Sequence, residues 1–342
     1  MAYTTINKST DYFNTNLWTG DDSNPRSITS THATDFVWIK SRNQTYIHRL
    51  FDSVRGATKR LRSNGADVED TASTEVTGFT STGYTINSGL NSTSPTTNWV
   101  GWSWLGGGTA SSNTDGSITS TVSANTTSGF SIVSYTGTGT QPSTVGHGLG
   151  VTPKMFIVKP RTDAQSWCVY HESKGATNVT YLDVTSGSGG SSVWNSTSPT
   201  SSVFTVNDNQ VNSSGITYIA YCFAEKTGYS KFGSYTGNGN ADGTFVYTGF
   251  KPAMVILKNT STTGNWQIMD NRRNTDNPVD TLLKPNDNIA DQTPSDAKDF
   301  LSNGFKLRNS ATEDNGSGNT FIYMAFAEAP LVGSNNVPAN AR

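Results

Sequence analysis

The feature that most constrains this chain is a pattern that recurs three times in register. An apolar run ending in lysine (FVWIK to Lys40, MFIVK to Lys159, MVILK to Lys258) is followed eight residues later by a ring: His48, Trp167 or Trp266. Twelve residues after the lysine stands Asp52, His171 or Asp270, and fifteen after it Arg55, Lys174 or Arg273. Each copy opens 22, 24 or 23 residues before its lysine on an aromatic-Thr-Gly turn, at Trp18, Tyr135 and Tyr235. Each closes on an aromatic-rich run, WVGWSW from Trp99, YIAYCF from Tyr218 and FIYMAF from Phe321, lying 81, 83 and 86 residues after the turn aromatic. Copies one and three also share a hairpin signature, with Gly83 and Gly304 four residues after Phe79 and Phe300. Self-similarity at a fixed period predicts tandem modules of one fold.

That fold is all-β. Only 15% of residues are charged while aromatics reach 11%, too many rings and too little charge for a disordered chain. Thr, Val and the aromatics suit pleated, half-buried surfaces, and Gly, Asn and Ser suit the turns between them. In copy three the strand signals are short and punctuated by turn residues (YSKFGSY, GTFVYTGF, PAMVILK, NWQIMD, TLLK, DFLSNGFKL, TFIYMAFA). About seven antiparallel strands per copy predict three tandem β-sandwich-like repeats of about 85–100 residues. The lysine-terminated and closing runs are apolar on both faces and are expected to be central strands. The lysine itself is expected to reach out of the core at the strand end.

The boundaries that follow are residues 1–105 for repeat one, 106–127 for a Gly/Ser/Thr linker, 128–227 for repeat two, 228–332 for repeat three and 333–342 for a polar tail. Within the linker SITSTVSA alternates, the pattern of an edge strand. Copies two and three are joined by KTG alone, which predicts a fixed relation, with copy one tethered more freely. TPSDAKDFL, near residue 295, is the one segment with the pattern of a helical turn. The N-terminus lacks the basic and apolar regions of a signal peptide, and no apolar run reaches membrane-spanning length.

Catalytic motifs are not found: the sequence holds no G-x-S-x-G elbow, HExxH, Walker loop or GxGxxG after a strand. His32, His48, His147 and His171 have no metal-ligand spacing, and Cys168 and Cys222 sit in apolar runs, as buried thiols do. Acidic neighbours occur at Asp21–Asp22, Glu69–Asp70 and Asp276 with Asp280, and a glycosidase needs two such groups converging. The basic stretch from Arg55 to Arg62 reads as a strand end and turn, and a net charge of −2 does not suit a nucleic-acid binder. Because the offsets keep size and polarity but change residue type, they read as a core hairpin rather than a duplicated active site. No catalytic residue, cofactor or metal is expected. For ligand binding, Trp167, Trp194 and Trp266 are the candidates for stacking on sugar rings.

The wording of several stretches is specific. MAYTTINKSTDYFNTNLWTG, FVWIKSR with LFDSVRG, GHGLGVTPKMFIVK, YCFAEKTGYSKFGSYTGNGNADGTFVYTGFKPAMVILK, FLSNGFKLR and YMAFAEAPLVGSNNVPANAR together resemble a family of tail-fibre-like virion appendage proteins. These belong to tailed phages of marine bacteria, of the cyanophage and pelagiphage type. The resemblance covers nearly the whole chain. It implies a non-enzymatic structural protein of the virion, a tail fibre or capsid-attached appendage, assembled in the host cytoplasm. It implies contact with the host surface through glycans, other virion proteins as partners, and a homo-oligomer, with a trimer favoured; nucleic acid and membrane insertion are not expected. Two other readings stay open: a polysaccharide-degrading tailspike-type enzyme, and a pure scaffold or decoration subunit.

Overall fold

The computed structural model describes residues 4–293 and 297–332. The centre of the turn expected near residue 295 and the tail at 333–342 lie outside the described residues. The chain is all-β and antiparallel, and the one α-helix among the described residues is the short turn Asn209–Asn212. Module one has β1 (Phe13–Thr19), β2 (Arg26–Thr29), β3 (Phe36–Ser41), β4 (Arg49–Asp52), β5 (Val76–Thr80), β6 (Gly83–Ile86) and β7 (Asn98–Trp104). Then come β8 (Ser111–Asn113) and β9 (Ser120–Asn125). Module two has β10 (Phe130–Thr136), β11 (Ser143–Gly146), β12 (Met155–Pro160), β13 (Cys168–His171), β14 (Asn178–Tyr181), β15 (Val203–Val206) and β16 (Thr217–Phe223). Module three has β17 (Ser230–Thr236), β18 (Phe245–Tyr247), β19 (Phe250–Asn259), β20 (Trp266–Asp270), β21 (Lys298–Leu301), β22 (Gly304–Leu307) and β23 (Thr320–Pro330).

Each module is a sandwich of a larger and a smaller sheet. The larger sheet has the same order three times: β1-β7-β3-β4, β10-β16-β12-β13 and β17-β23-β19-β20. The closing strand thus inserts between the opening strand and the lysine-terminated strand. Registers agree too, since Phe36 pairs with both Trp104 and Asp52, Met155 with Phe223 and His171, and Met254 with Phe326 and Asp270. The smaller sheets are β2-β6-β5, β11-β15 and β18-β22-β21. Gly20, Gly137 and Gly237 are glycine for one reason. A Cβ at each would lie 2.2, 2.3 or 2.4 Å from a backbone oxygen of the loop that leads into the closing strand.

The central strands are apolar on both faces because both faces are covered. One face packs against its own small sheet: Val37 and Ile39, Phe156 and Val158, Val255 and Leu257 each join the private core of their module. The other face joins a single core common to all three. Phe36, Trp38, Trp102 and Trp104 meet Ile157, Tyr221 and Phe223, and these meet Met254, Ile256, Met324 and Phe326. At its centre three equivalent closing-strand rings form a triangle, with centroids 6.5 Å apart for Trp104–Phe223, 6.1 Å for Phe223–Phe326 and 5.6 Å for Trp104–Phe326. The modules therefore pack as a closed pseudo-threefold block. Beside the triangle the remaining void is about 10 Å³, which leaves no space for a ligand.

Three expectations are corrected by this packing. Lys40, Lys159 and Lys258 do not reach solvent and are fully buried. Copy one is not loosely tethered, because its rings sit in the shared core. The stretch 106–127 has linker composition but is folded: β9 pairs along β10, and β8 along β9, which widens the sheet of module two.

Trp104 supports two other modules as well as its own. Trp104→Ala is expected to cost about 3–5 kcal/mol in denaturant unfolding and to move one cooperative transition of the whole chain. Separate transitions, with only one shifted, would contradict a common core.

Candidate functional site

The polar residues of the repeat converge where modules meet, and their geometry decides whether they form a reactive site. Eight residues after the lysine, the ring N–H donates across a module boundary in every copy. Trp167 Nε1 donates to Arg62 O at 2.8 Å and Trp266 Nε1 to Tyr181 O at 2.8 Å. His48 Nδ1 accepts from Trp38 Nε1 at 2.9 Å, which leaves Nε2–H to donate to Lys284 O at 2.9 Å. Modules two, three and one thus each reach the preceding module of the ring. The lysines follow the same direction: Lys159 Nζ donates to Ala66 O at 3.0 Å and Lys258 Nζ to Thr185 O at 2.8 Å. Lys40 Nζ donates to Ser41 O and Gln44 O within its own module. Burial pushes these amines down, Lys40 to about 7 and the other two to about 8.

Twelve residues after the lysine, the contacts run the opposite way around the ring. Asp52 Oδ2 accepts from Tyr221 OH at 2.7 Å, and Asp270 Oδ2 from Trp102 Nε1 at 3.1 Å. Tyr221 and Trp102 occupy equivalent positions in the closing strands of the next module. The third equivalent is Met324, which has no donor, and there the partner is His171. Its Nδ1 accepts from Ser173 N–H, so Nε2–H donates to Tyr323 O at 3.2 Å. The change from Asp to His is therefore a compensation for the change from Tyr or Trp to Met. Arg55 and Arg273 complete the two aspartate sites, at 2.5 and 2.6 Å from Oδ2. For Arg55 burial opposes the charge, but Asp52, Tyr221 and Glu69 outweigh it and hold the guanidinium charged. Lys174 has no aspartate to pair with and stays partly exposed.

A third repeated element was not read from the sequence. Asn91, Asn212 and Asn315 are each fully buried and fasten the opening turn of their module. In each, the side-chain oxygen accepts the N–H three residues past the turn aromatic (Asp21, Thr138, Asn238), and the backbone oxygen accepts the next (Asp22, Gly139, Gly239). The turn aromatic points its own donor at the residue before that asparagine: Trp18 to Leu90 O, Tyr135 to Val211 O, Tyr235 to Asp314 O. The asparagines precede the closing run by 8, 6 and 6 residues, and the uneven spacing hid them.

These arrangements engage the repeated groups with one another and with the backbone. Asp52 and Asp270 are saturated by donors, Lys40, Lys159 and Lys258 are spent on carbonyls, and of the repeated charged groups only Lys174 is partly exposed. The other candidates fare similarly. Trp167, Trp194 and Trp266 are at most 1% exposed and cannot stack on a sugar; Trp194 instead packs edge-on against Phe156. Glu69 and Asp70 diverge, Glu69 to Arg161 and Arg55, Asp70 to Arg60 and Arg62. Those pairs also engage Arg55, Arg60 and Arg62 of the basic stretch, while Lys59 Nζ donates to Thr71 Oγ1 at 2.9 Å. Cys168 and Cys222 are free thiols in the core. Among the described residues no three His, Cys, Asp or Glu side chains are grouped to hold a metal, and no helix is long and apolar enough to cross a membrane.

Fold and polar contacts together define a single-chain, three-module β-sandwich block in which the repeated polar residues fasten modules to one another. The chain belongs to the family described as a domain of unknown function, DUF7483, whose model matches residues 8–330 and so takes in all three modules as one unit. No curated protein matches it significantly.

The neutral ring of His171 gives the block an acid sensitivity. Burial lowers its pKa from 6.5 to about 4. Between those values the unfolded chain binds the extra proton, so this contribution is complete above pH 6.5 and lost as pH falls toward 4. The loss amounts to at most about 3 kcal/mol. Urea midpoints measured across this range should fall with acid, and His171→Gln should flatten part of the slope. An unchanged slope would show that the ring is not held neutral.

Proposed function

We propose that the protein is a non-enzymatic structural component of a phage virion, a tail fibre or capsid-attached appendage that contacts the host surface. The observation that carries this reading is the use made of the repeated polar residues: in every copy the ring eight residues after the lysine and the Asp or His twelve after it are consumed in joining modules. What remains on the outside is a charge-poor surface of Ser, Thr, Asn and Gly turns on a block without disulfides, suited to a part assembled in a reducing cytoplasm. The resemblance of the sequence to tail-fibre-like appendage proteins points the same way. Three modules in one chain do the work that three subunits do in a trimeric appendage, and partners then lie among other virion proteins and host glycans. Weak glycan contacts become useful through the many copies a virion displays.

A decoration subunit is the second reading, favoured by the pseudo-threefold shape, which fits a seat of local threefold symmetry on a particle. Purified protein incubated with host-surface polysaccharide separates the readings. Retention of the polysaccharide without shortening supports attachment, absence of retention with antibody labelling of intact particles supports decoration, and shortening of the polymer would establish the depolymerase reading instead. Absence of the protein from purified particles would remove the virion assignment altogether.

A further inference from the structure

The three modules are alike inside and differ outside, and the sharpest difference lies on one strand. β18 is the edge of the small sheet of module three, and it carries Phe245 and Tyr247, 43% and 53% exposed, the two most exposed large apolar side chains among the described residues. Val246 between them points into the core. In module one the matching strand β2 has Ser27 and Thr29 around buried Ile28, and in module two β11 has Thr144 and Gly146 around buried Val145. The fold therefore requires the middle residue and does not require rings on either side of it.

The backbone edge differs as well. In module two it is covered by the chain itself: Ile118 bridges to Val145 in parallel, with Ile118 N–H donating to Thr144 O at 2.9 Å and Thr144 N–H to Ser117 Oγ at 2.8 Å. In module one Asn16 Nδ2 caps Thr29 O at 2.8 Å. Among the described residues module three has no segment on this edge equivalent to 111–118, KTG being its connection to module two, and its counterpart of Asn16 is Gly233. Leu307 N–H donates to Thr244 O and Thr248 N–H to Asn303 O. In an antiparallel pair this alternation turns the N–H and C=O of Val246 toward β22 and those of Phe245 and Tyr247 outward. An open edge bearing aromatic side chains is a template for another strand.

We propose that this edge joins two copies of the chain, β18 against β18, antiparallel about a twofold axis at Val246. The register is self-complementary. Outward groups on residues 245 and 247 of one copy meet those on 247 and 245 of the other, giving four backbone hydrogen bonds and two directly opposed Phe–Tyr pairs on one face. Charges beside the rings do not oppose the approach, since Lys306 is paired with Asp242 at 2.6 Å and Arg308 with Asp299 at 3.2 Å. This assignment does not depend on the virion reading.

Sedimentation velocity of the full chain over a concentration series tests it. The expected result is a monomer–dimer equilibrium with a dissociation constant on the order of tens of micromolar, as suits a small contact. Phe245→Ser with Tyr247→Thr, which installs the module-one residues, is expected to weaken it at least about tenfold, and Phe245→Lys, an edge-blocking charge, should do the same. Thermal unfolding of both variants should stay close to the parent, as neither ring is a member of the core clusters. A parent that stays monomeric at millimolar concentration overturns the proposal, as does a dimer that both variants leave intact. A monomer whose Tyr247 resonances shift on adding a neutral oligosaccharide would also overturn it and give the two rings to a glycan.

Discussion

The block depends on the triangle made by Trp104, Phe223 and Phe326. Each ring stands at the same place in a closing strand, and each touches the other two. A four-stranded sheet with one face covered by its own small sheet still has an apolar second face, and such a face in water favours association. Three such faces turned inward cover each other, and no member of the shared core is more than 8% exposed. Burying a ring of this size stabilises a fold by about 1.5–3 kcal/mol before packing is considered. The triangle is thus the physical reason that the three repeats form one object rather than beads on a string.

An apolar contact of this kind holds surfaces together without fixing their rotation. Orientation comes from the polar residues around it, which act in opposite senses. Ring N–H groups of Trp167, Trp266 and His48 reach back to the preceding module, while Asp52, His171 and Asp270 reach forward to the next. Each interface is fixed from both sides. These are buried groups, and removing one partner leaves the other without compensation. That asymmetry makes the contacts strong determinants of register even where their net contribution is small.

Much of this was legible in the sequence. The three copies, their strands and the central place of the lysine-terminated runs all follow from periodicity and residue type. The fate of the polar residues was not legible, for a specific reason. Reading one copy at a time, Lys40 at a strand end looks like a solvent-facing cation and Trp167 like an available ring, because a single copy does not show what covers its second face. The covering groups come from residues far away, such as Ala66 for Lys159 and Arg62 for Trp167. The change at the twelfth position looked like a loss of chemical role because its counterpart, Tyr221, Met324 or Trp102, lies in a different copy. The asparagines do not align between copies in sequence because their distance to the closing strand varies.

That compensation has a consequence for how the chain can vary. His171 opposite Met324, and aspartate opposite Tyr221 and Trp102, mean that the modules are no longer interchangeable. A module moved to another place in the ring would present aspartate to methionine, or histidine to a tyrosine already lacking its acceptor. Three identical subunits would not meet this restriction, and they would also carry three identical outer surfaces. Covalent linkage removes that second constraint. Once the interior contacts are specialised pair by pair, each outer surface is free to differ, and it does. Module two has added β8 and β9 and covered its edge, module one has capped its edge with Asn16, and module three carries Phe245 and Tyr247 on an edge that no other described residue pairs with. Linking the modules in one chain gives the block a threefold core together with a surface that is not threefold.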